Sequence, residues 1–370
     1  MNKSWMAFFF IVLLTACGQT GSKDVIKLGI VAPLTGGNAW IGQDNSLAVQ
    51  MAVQHINDAG GINGKKIEVI IEDADTSQKS STATNKLVAL DEVDVLYAIT
   101  TPVVAAAAPI ADQNKIVLFG FTAVNTYAKK GNYVFTDLRD IQKECGLLSK
   151  AAEAQGDTQL AFLGNDADFS DECLGVLQQN PALTIVANER HLSNDPDVRT
   201  TIIKIKEANP QALVLICWTP DCNLIYKQMI ELGIHYKLYL PIALPLPASK
   251  KSLEGLDREV ILRDAVGADT ALDPANPTEG LKRFLDDYNA FTNGKELVSP
   301  PDAAFAADNI MMLANAMKRC PDLNSDCVRD QLAQTDYTGY GGRVAYNGKH
   351  WASRDVRAIQ YKEGKWTELK

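Results

Sequence analysis

Two threonines and a proline, Thr100-Thr101-Pro102, stand where a predicted strand, Val93–Ile99, meets a predicted helix, Val103–Asn114. Threonine is a good N-cap and proline suits the first helical position, so we expect the helix to begin here. The first N–H groups of a helix lack intrahelical partners and lie at the positive end of its dipole, which makes them a ready anion site. The segment is therefore a candidate anion site, and the simpler interpretation, a capping turn, is compatible with it.

Cys17 is the second residue with distinctive chemistry, because it closes the stretch Leu14-Thr15-Ala16-Cys17 behind a short apolar run. That run, from Trp5 to Leu14, is shorter than a bilayer-spanning helix and is typical of an export signal. A cysteine at this place resembles the acylated cysteine of a bacterial lipoprotein signal. We predict a signal peptide over 1–16, lipidation of Cys17 and a flexible tether over 17–24. The alternative is an ordinary cleaved signal with a chance cysteine.

The other six cysteines form an even set at close spacings, which favours disulfides in an oxidising compartment. We predict sequential pairing, although other pairings are possible. The predicted pairs are Cys145–Cys173, Cys217–Cys222 and Cys320–Cys327. Zinc is the rival interpretation, but Cys-x4-Cys and Cys-x6-Cys are poor zinc spacings and the four histidines are scattered. We therefore expect no metal.

Length and charge limit the class of protein. Beyond the predicted signal, 354 residues remain, more than one hydrophobic core usually organises, so two lobes are expected. The formal net charge is −9 and no Lys/Arg cluster interrupts it, which argues against a nucleic-acid partner. No second apolar run reaches membrane length, so we expect contact with the membrane through the N-terminal lipid only.

Motifs for catalysis are missing from the sequence. It has no nucleophile elbow, phosphate loop, His-Glu-x-x-His or Gly-x-Gly-x-x-Gly after its first strand. With few histidines, acid–base chemistry has few agents. We expect a protein that is not an enzyme and needs no cofactor, and an α/β enzyme remains the opposing hypothesis.

Strand and helix patterns alternate along the chain. The first unit begins with the strand Ile26–Ala32 and a helix over Asp44–Ala59, and it ends near the strand Ile116–Phe119. A second unit of similar build starts with a helix at Ile141–Gln155. Such an order predicts an α/β fold of two Rossmann-like lobes, each with a parallel sheet and helices on both faces.

One block identifies a family. Ile56–Lys66 (INDAGGINGKK), with Gly36-Gly37 before it and Glu72-Asp73-Ala74-Asp75 behind it, resembles the leucine/isoleucine/valine-binding type of periplasmic solute receptor. These are type 1 binding proteins that serve ATP-driven (ABC) importers. The resemblance covers nearly the whole chain beyond the signal.

The resemblance implies two lobes joined by three crossing segments, with a small-molecule ligand in the cleft. The first lobe is expected to comprise 25–142 plus 267–345, and the second 143–266 plus 346–370. The implied function is an extracytoplasmic receptor, in the periplasm or at the cell surface, that acts as a monomer with the membrane subunits of an importer. The alternative is a ligand-sensing module for a membrane receptor or regulator.

The family also implies site residues in the first lobe. Thr101 falls where relatives hold the ligand carboxylate, and Thr122 is expected to supply main-chain contacts. Val124 stands where a threonine hydroxyl is expected, and its side chain can neither donate nor accept.

Three aromatic residues are expected around the ligand by the same resemblance. Trp40 lies in the predicted first βα loop, and Phe169 and Trp218 come from the second lobe. For Phe169 a plain core role is a serious alternative. Trp218 is better placed, because it follows a strand and lies between Cys217 and Cys222. Three rings would bury a large apolar area around a small ligand.

One departure concerns the ligand's ammonium group. Amino-acid receptors of this family carry an acidic residue at the position that falls on Ile242 here, and a buried ammonium without an anion is costly. Asp166, Asp168 and Asp221 are candidate substitutes, or simply solvent-exposed carboxylates at helix starts. The sequence thus allows a hydrophobic amino acid, or another carboxylate- or amide-bearing ligand with an apolar or aromatic body.

Overall fold

The computed structural model describes residues 25–37, 39–165, 167–192, 195–218, 221–241, 255–270 and 277–369. The strands are β1 Val25–Ala32, β2 Lys66–Asp73, β3 Val95–Ile99, β4 Val117–Phe121, β5 Val134–Phe135, β6 Gln159–Asn165, β7 Thr184–His191, β8 Ala212–Leu215, β9 Lys237–Leu240, β10 Val266–Thr270, β11 Asp336–Gly339, β12 Gly342–Ala345, β13 Val356–Lys362 and β14 Lys365–Glu368. The helices are α1 Ala39–Asp58, α2 Ser77–Ala89, α3 Thr101–Asn114, α4 Thr126–Lys130, α5 Ile141–Gln155, α6 Asp168–Gln178, α7 Arg199–Glu207, α8 Asp221–Glu231, α9 Arg258–Ile261, α10 Glu279–Thr292, α11 Pro300–Lys318 and α12 Ser325–Ala333.

The first sheet has five parallel strands in the order β2-β1-β3-β4-β5. Its central strands, β3 and β4, are buried at every position, as expected for a sheet covered on both faces. Helices α1, α10 and α11 pack together on this part of the chain, while α2 and α3 pack as a second pair. The predicted α/β class with parallel sheets is confirmed.

The second sheet has seven strands in the order β14-β13-β10-β9-β8-β6-β7. Strands β6 to β10 run parallel, whereas β13 is antiparallel to β10 and β14 is antiparallel to β13. The predicted lobe boundary at 266/267 falls inside β10, whose register with β13 runs from Val266 to Thr270. Backbone pairing therefore assigns all of β10 to the seven-stranded sheet.

Helix α1 begins earlier than the apolar pattern predicted, at Ala39 instead of Asp44. Gly42 lies inside it because the helix passes close to the preceding chain. A β-carbon at Gly42 would lie 2.0 Å from the carbonyl oxygen of Pro33. Within the described residues, no helix is long and apolar enough to cross a bilayer.

Two segments that connect the sheets run side by side. Thr136, just after β5, forms a parallel bridge with Trp351, just before β13. The N–H of Thr136 donates to the carbonyl of His350 (3.1 Å), and the N–H of Ala352 donates to the carbonyl of Thr136 (2.9 Å). These bonds join two of the chain's passages between the five-stranded and seven-stranded sheets.

A cluster of buried charged side chains also links the two connecting segments. The guanidinium of Arg354 donates to Asp137 (2.7 Å) and lies 3.5 Å from Asp308 on α11. All three side chains are at most 3% exposed. Asp308 also accepts the N–H groups of Tyr340 and Gly341, both at 2.8 Å, so one cation and two carboxylates join α11, the β11–β12 turn and both connecting segments.

Burial raises the pKa of Asp308 to about 6, although Arg354 and two backbone donors act against the rise. The folded chain therefore binds this proton more tightly than the unfolded chain. The resulting stability is fully present below pH ~4 and is lost as pH rises through about 6.

We predict that the free energy of unfolding of the wild type, compared with that of Asp308→Asn, falls by roughly 2–3 kcal/mol between pH 4 and pH 7. Urea unfolding of both proteins across this range measures the difference. The substitution also removes a hydrogen-bond acceptor, which changes stability at every pH. The informative quantity is therefore how the stability difference between the two proteins changes with pH. A difference that stays constant with pH would show that Asp308 does not titrate in this range.

Candidate functional site

Both sheets reverse their strand order at one point, and four predicted site residues follow the strands that border these points: Trp40, Thr101, Phe169 and Trp218. In the first sheet β1 and β3 are neighbours, so helices leave them toward opposite faces and a crevice opens at their carboxyl ends. In the second sheet β6 and β8 are neighbours in the same way. Open parallel sheets bind ligands at such points.

Thr101 and Thr122 are brought together at the edge of the first sheet. Ile99 at the end of β3 pairs in register with Phe121 at the end of β4. The residues that follow therefore meet, and the two hydroxyl oxygens lie 2.9 Å apart. Thr122 is buried, whereas Thr101 is partly exposed at the first position of α3.

Counting donors shows what the threonine pair offers. The oxygen of Thr122 already accepts the N–H of Val124 at 3.1 Å. Each hydroxyl has one proton, and the bond between the two hydroxyls uses one of the two. Whichever hydroxyl donates, one proton remains to donate elsewhere, next to the N–H groups of the first turn of α3.

Thr100 does not cap α3 in the predicted way. It occupies the N-cap position, but its side chain makes no capping hydrogen bond, and its backbone has φ 85° and ψ 152°. This region is essentially confined to glycine, and a β-branched residue there is strained. Its N–H donates to the carbonyl of Phe121 (3.1 Å), so the strain is held by β4. Strain of this kind is concentrated at functional sites.

Val124 is 1% exposed, and its side chain belongs to the hydrophobic core. Its contribution to the site is the backbone N–H that fixes the Thr122 hydroxyl. The next residue, Asn125, accepts the hydroxyl of Thr136 at 2.7 Å, which ties this loop to the connecting segments.

Phe169 and Trp218 are brought together at the edge of the second sheet. Phe169 is in the first turn of α6, after β6, and Trp218 follows β8. Their ring centroids lie 5.8 Å apart in an edge-on arrangement, which is a favourable geometry for aromatic pairs. Phe169 is 4% exposed, so it packs in the core and supports the partly exposed ring of Trp218.

The sulfur atoms of each predicted cysteine pair lie at disulfide-bonding distance. The pairs are Cys145 and Cys173, Cys217 and Cys222, and Cys320 and Cys327. The second pair brackets Trp218, and the N–H of Cys222 donates to the carbonyl of Trp218 at 2.9 Å. Both features limit the movement of the Trp218 backbone at the start of α8.

Trp40 lies in the first turn of α1 and not in a loop. Its indole Nε1 is buried, and no partner for it occurs within the described ranges. α1 follows β1 and α3 follows β3, and these two strands are neighbours, so Trp40 and Thr101 follow the two strands that border the first crevice.

The carboxylates that are candidate partners of a ligand ammonium differ in their surroundings. Asp168 is exposed and accepts the hydroxyl of Tyr127, while Asp221 is 8% exposed in the first turn of α8. Asp166, Ile242 and Cys17 lie outside the described residues. The position of an ammonium partner therefore stays a prediction.

Sequence reasoning missed contacts between α4 and α6. Besides the Tyr127–Asp168 bond, the hydroxyl of Thr126 donates to Glu172. The partners are 41 and 46 residues apart along the chain, and no local motif marks them. Two shallow pockets lie elsewhere: one between α8, β9 and α9, the other between β1, β2, β3 and α11.

Two mainly parallel sheets, each with its crevice at a reversal of strand order, define the type 1 periplasmic binding protein fold. The chain belongs to the periplasmic binding protein family, whose sequence model matches residues 25–365. The resemblance found in the sequence is thereby confirmed, and the family is one of substrate-binding proteins that function outside the cytoplasm.

Individual relatives agree with this assignment. The chain is 20% identical to Leu/Ile/Val-binding protein homolog 7 of Brucella abortus, over 96% of this chain and 94% of that protein. It is similar in structure to the branched-chain amino acid transporter substrate binding protein LivJ of Streptococcus pneumoniae in complex with isoleucine (TM-score 0.78, 22% identity, 92% of this chain and 97% of that one). It is also similar to an R. palustris solute binding protein in complex with benzoate (TM-score 0.77, 15% identity, 93% of this chain and 95% of that one).

Proposed function

We propose that this protein is the solute receptor of an ABC importer and binds a small carboxylate- or amide-bearing ligand between its two sheets. One observation carries the proposal: a threonine pair with a spare hydroxyl proton lies at the crevice of one sheet, and an aromatic pair lies at the crevice of the other. The first suits the polar head of a ligand, and the second suits its apolar body.

The ligand class follows from these two groups. A carboxylate would accept from the Thr101–Thr122 pair and from the first N–H groups of α3, where the helix dipole favours negative charge. Trp218, supported by Phe169, would cover an apolar or aromatic body. Isoleucine and benzoate, the ligands in the two solved relatives, share a carboxylate head and an apolar body. A hydrophobic amino acid and an apolar or aromatic acid are therefore the two candidate classes.

Closure of two lobes would complete the site. We propose that the five-stranded sheet organises the lobe that binds the ligand head first, and that the seven-stranded sheet, including β10 and the C-terminal strands, organises the other. The connecting segments at Thr136 and Ala352 would act as the hinge, as in domain closure around ligands. Membrane subunits of the importer would then recognise the closed form.

We also propose that Cys17 anchors the protein to a membrane by its lipid. The sequence pattern before Cys17 and the polar stretch after it support this. Mass spectrometry of the N-terminal peptide should show an acylated cysteine, and Cys17→Ser should release the protein from membranes. Retention of Cys17→Ser in the membrane fraction would contradict anchoring by a lipid on Cys17.

Tryptophan fluorescence titration tests the binding proposal, because Trp218 lies at the site. Isoleucine, leucine, valine, benzoate and 3,4-dihydroxybenzoate form a suitable panel, with the amide of each acid as a second series. A saturable response to one class is the expected result. No saturable response to any carboxylate or amide would contradict the proposal.

Thr101→Val should weaken binding of a carboxylate ligand by about 1–3 kcal/mol, because valine keeps the shape but cannot donate to a charged acceptor. Isothermal titration measures the change. Thr84→Val is a matched control, since Thr84 is a buried threonine whose hydroxyl bonds within α2 (2.7 Å to the carbonyl of Ser80). Equal affinity of Thr101→Val and wild type would exclude Thr101 from the site.

A further inference from the structure

Two side-chain hydrogen bonds join a helix of the five-stranded part to a helix of the seven-stranded part. The four side chains that form them are here called the α4–α6 bridge: Thr126, Tyr127, Asp168 and Glu172. Asp168 and Glu172 are four residues apart on α6, so they lie on one face of the helix and receive the hydroxyls of two consecutive residues of α4.

The two helices are fixed to different sheets. Ala128 of α4 is 3% exposed, in a core cluster with Val104 and Val134 of the first sheet's layer. α6 packs against β6, β7 and α5, and Cys173 is at disulfide distance from Cys145 of α5. A rotation of one lobe relative to the other therefore has to stretch or break the bonds of the bridge.

The bridge is also next to both halves of the proposed site. α4 begins directly after the loop that holds Thr122, and Asp168 directly precedes Phe169, the support of Trp218. The second carboxylate oxygen of Glu172 accepts the amide of Gln142 at 3.2 Å, in the first turn of α5. Burial, and then the bond to Asp168, raise the pKa of Tyr127, so its phenol keeps the proton that it donates.

We infer that the α4–α6 bridge is a latch between the lobes, which sets the fraction of closed protein and the residence time of the ligand. This inference rests on the proposed function, because a latch has meaning only if the lobes open and close. In the open form the same hydroxyls and carboxylates are hydrated. The latch therefore stabilises only the closed form. A ligand that binds only the closed form is held more tightly by the whole of that stabilisation.

Removing one hydroxyl of the latch should accelerate ligand release. For Tyr127→Phe we expect dissociation of isoleucine or benzoate about 3- to 10-fold faster than for wild type, with an unchanged association rate. Tyr340→Phe is the matched control: its hydroxyl donates to Asp287 at 2.6 Å, the same kind of bond within the five-stranded part. It should leave both rates unchanged. Stopped-flow tryptophan fluorescence measures them.

A ligand-free measurement keeps the latch separate from the proposed function. Small-angle X-ray scattering of the purified chain should give a larger radius of gyration for Tyr127→Phe/Glu172→Gln than for wild type and Tyr340→Phe. If this expansion occurs while no ligand of the panel binds, the latch stands and the proposed ligand class fails. If wild type binds a ligand and the variant shows neither expansion nor faster release, the latch is overturned and the proposed function stands.

Discussion

Arg354→Met should lower the free energy of unfolding by about 3–5 kcal/mol, the largest loss of stability we expect from one substitution outside the site. Methionine fills a similar volume but leaves Asp137 and Asp308 without the cation that lies 2.7 and 3.5 Å from them. Two carboxylates then remain buried next to each other. The guanidinium also stacks on Phe305 at 4.2 Å, and this contact is lost as well. Urea unfolding at pH 7 measures the change.

An exposed ion pair provides the control for Arg354. Arg343 and Asp336 form a double hydrogen bond (2.9 and 2.7 Å) with side chains 69% and 55% exposed. Arg343→Met should therefore change stability by no more than about 1 kcal/mol. Protonation of the carboxylates should also shrink the defect of Arg354→Met at lower pH, because burial raises the pKa of both Asp137 and Asp308. Equal effects of the two arginine substitutions would contradict this account of the buried charge cluster.

Trp218→Ala should reduce ligand affinity by at least about 2 kcal/mol, roughly 30-fold, because a half-buried ring at the second crevice would supply most of the apolar contact. The folded state should survive, since Trp218 is partly exposed and Phe169 beneath it stays in place. Isothermal titration with the best ligand of the panel gives the affinity, and urea unfolding confirms that the protein is folded.

Trp366→Ala is the control for the loss of an indole ring. Trp366 lies in β14 and packs edge-on against Tyr361 with centroids 5.4 Å apart, a geometry similar to that of Trp218 and Phe169. It is far along the second sheet from β6 and β8. We expect Trp366→Ala to keep the wild-type affinity. A similar loss in both variants, or none in Trp218→Ala, would show that Trp218 is not a contact of the ligand.

The alternation of strands and helices could be predicted from local sequence patterns, and so could the sheet edge at which the candidate site lies. The strand before Thr101 was predicted as Val93–Ile99 and occurs as Val95–Ile99, because a short buried run bounded by polar residues has little freedom. The family resemblance placed Thr101 and Thr122 at one ligand site, and the 2.9 Å contact between their hydroxyls agrees with parallel strands that end at one edge of a sheet.

Local patterns were insufficient where the structure depends on distant partners. Strand β10 was not predicted, because its pairing with β9 and β13 brings together segments far apart in the chain. The ion pair between Asp137 and Arg354 joins residues 217 positions apart, and nothing near either residue marks it. The strained backbone of Thr100 also could not be predicted from the sequence, because a threonine at this position predicts an ordinary N-cap.

A crystal structure of the protein with a bound ligand from the titration panel tests the central claim most directly. We predict that the ligand carboxylate or amide lies within hydrogen-bond distance of the Thr101 hydroxyl and the first turn of α3, and that the ring of Trp218 covers the apolar body. A ligand bound away from the crevices of the two sheets, or one whose polar head points to the seven-stranded sheet, would contradict the account.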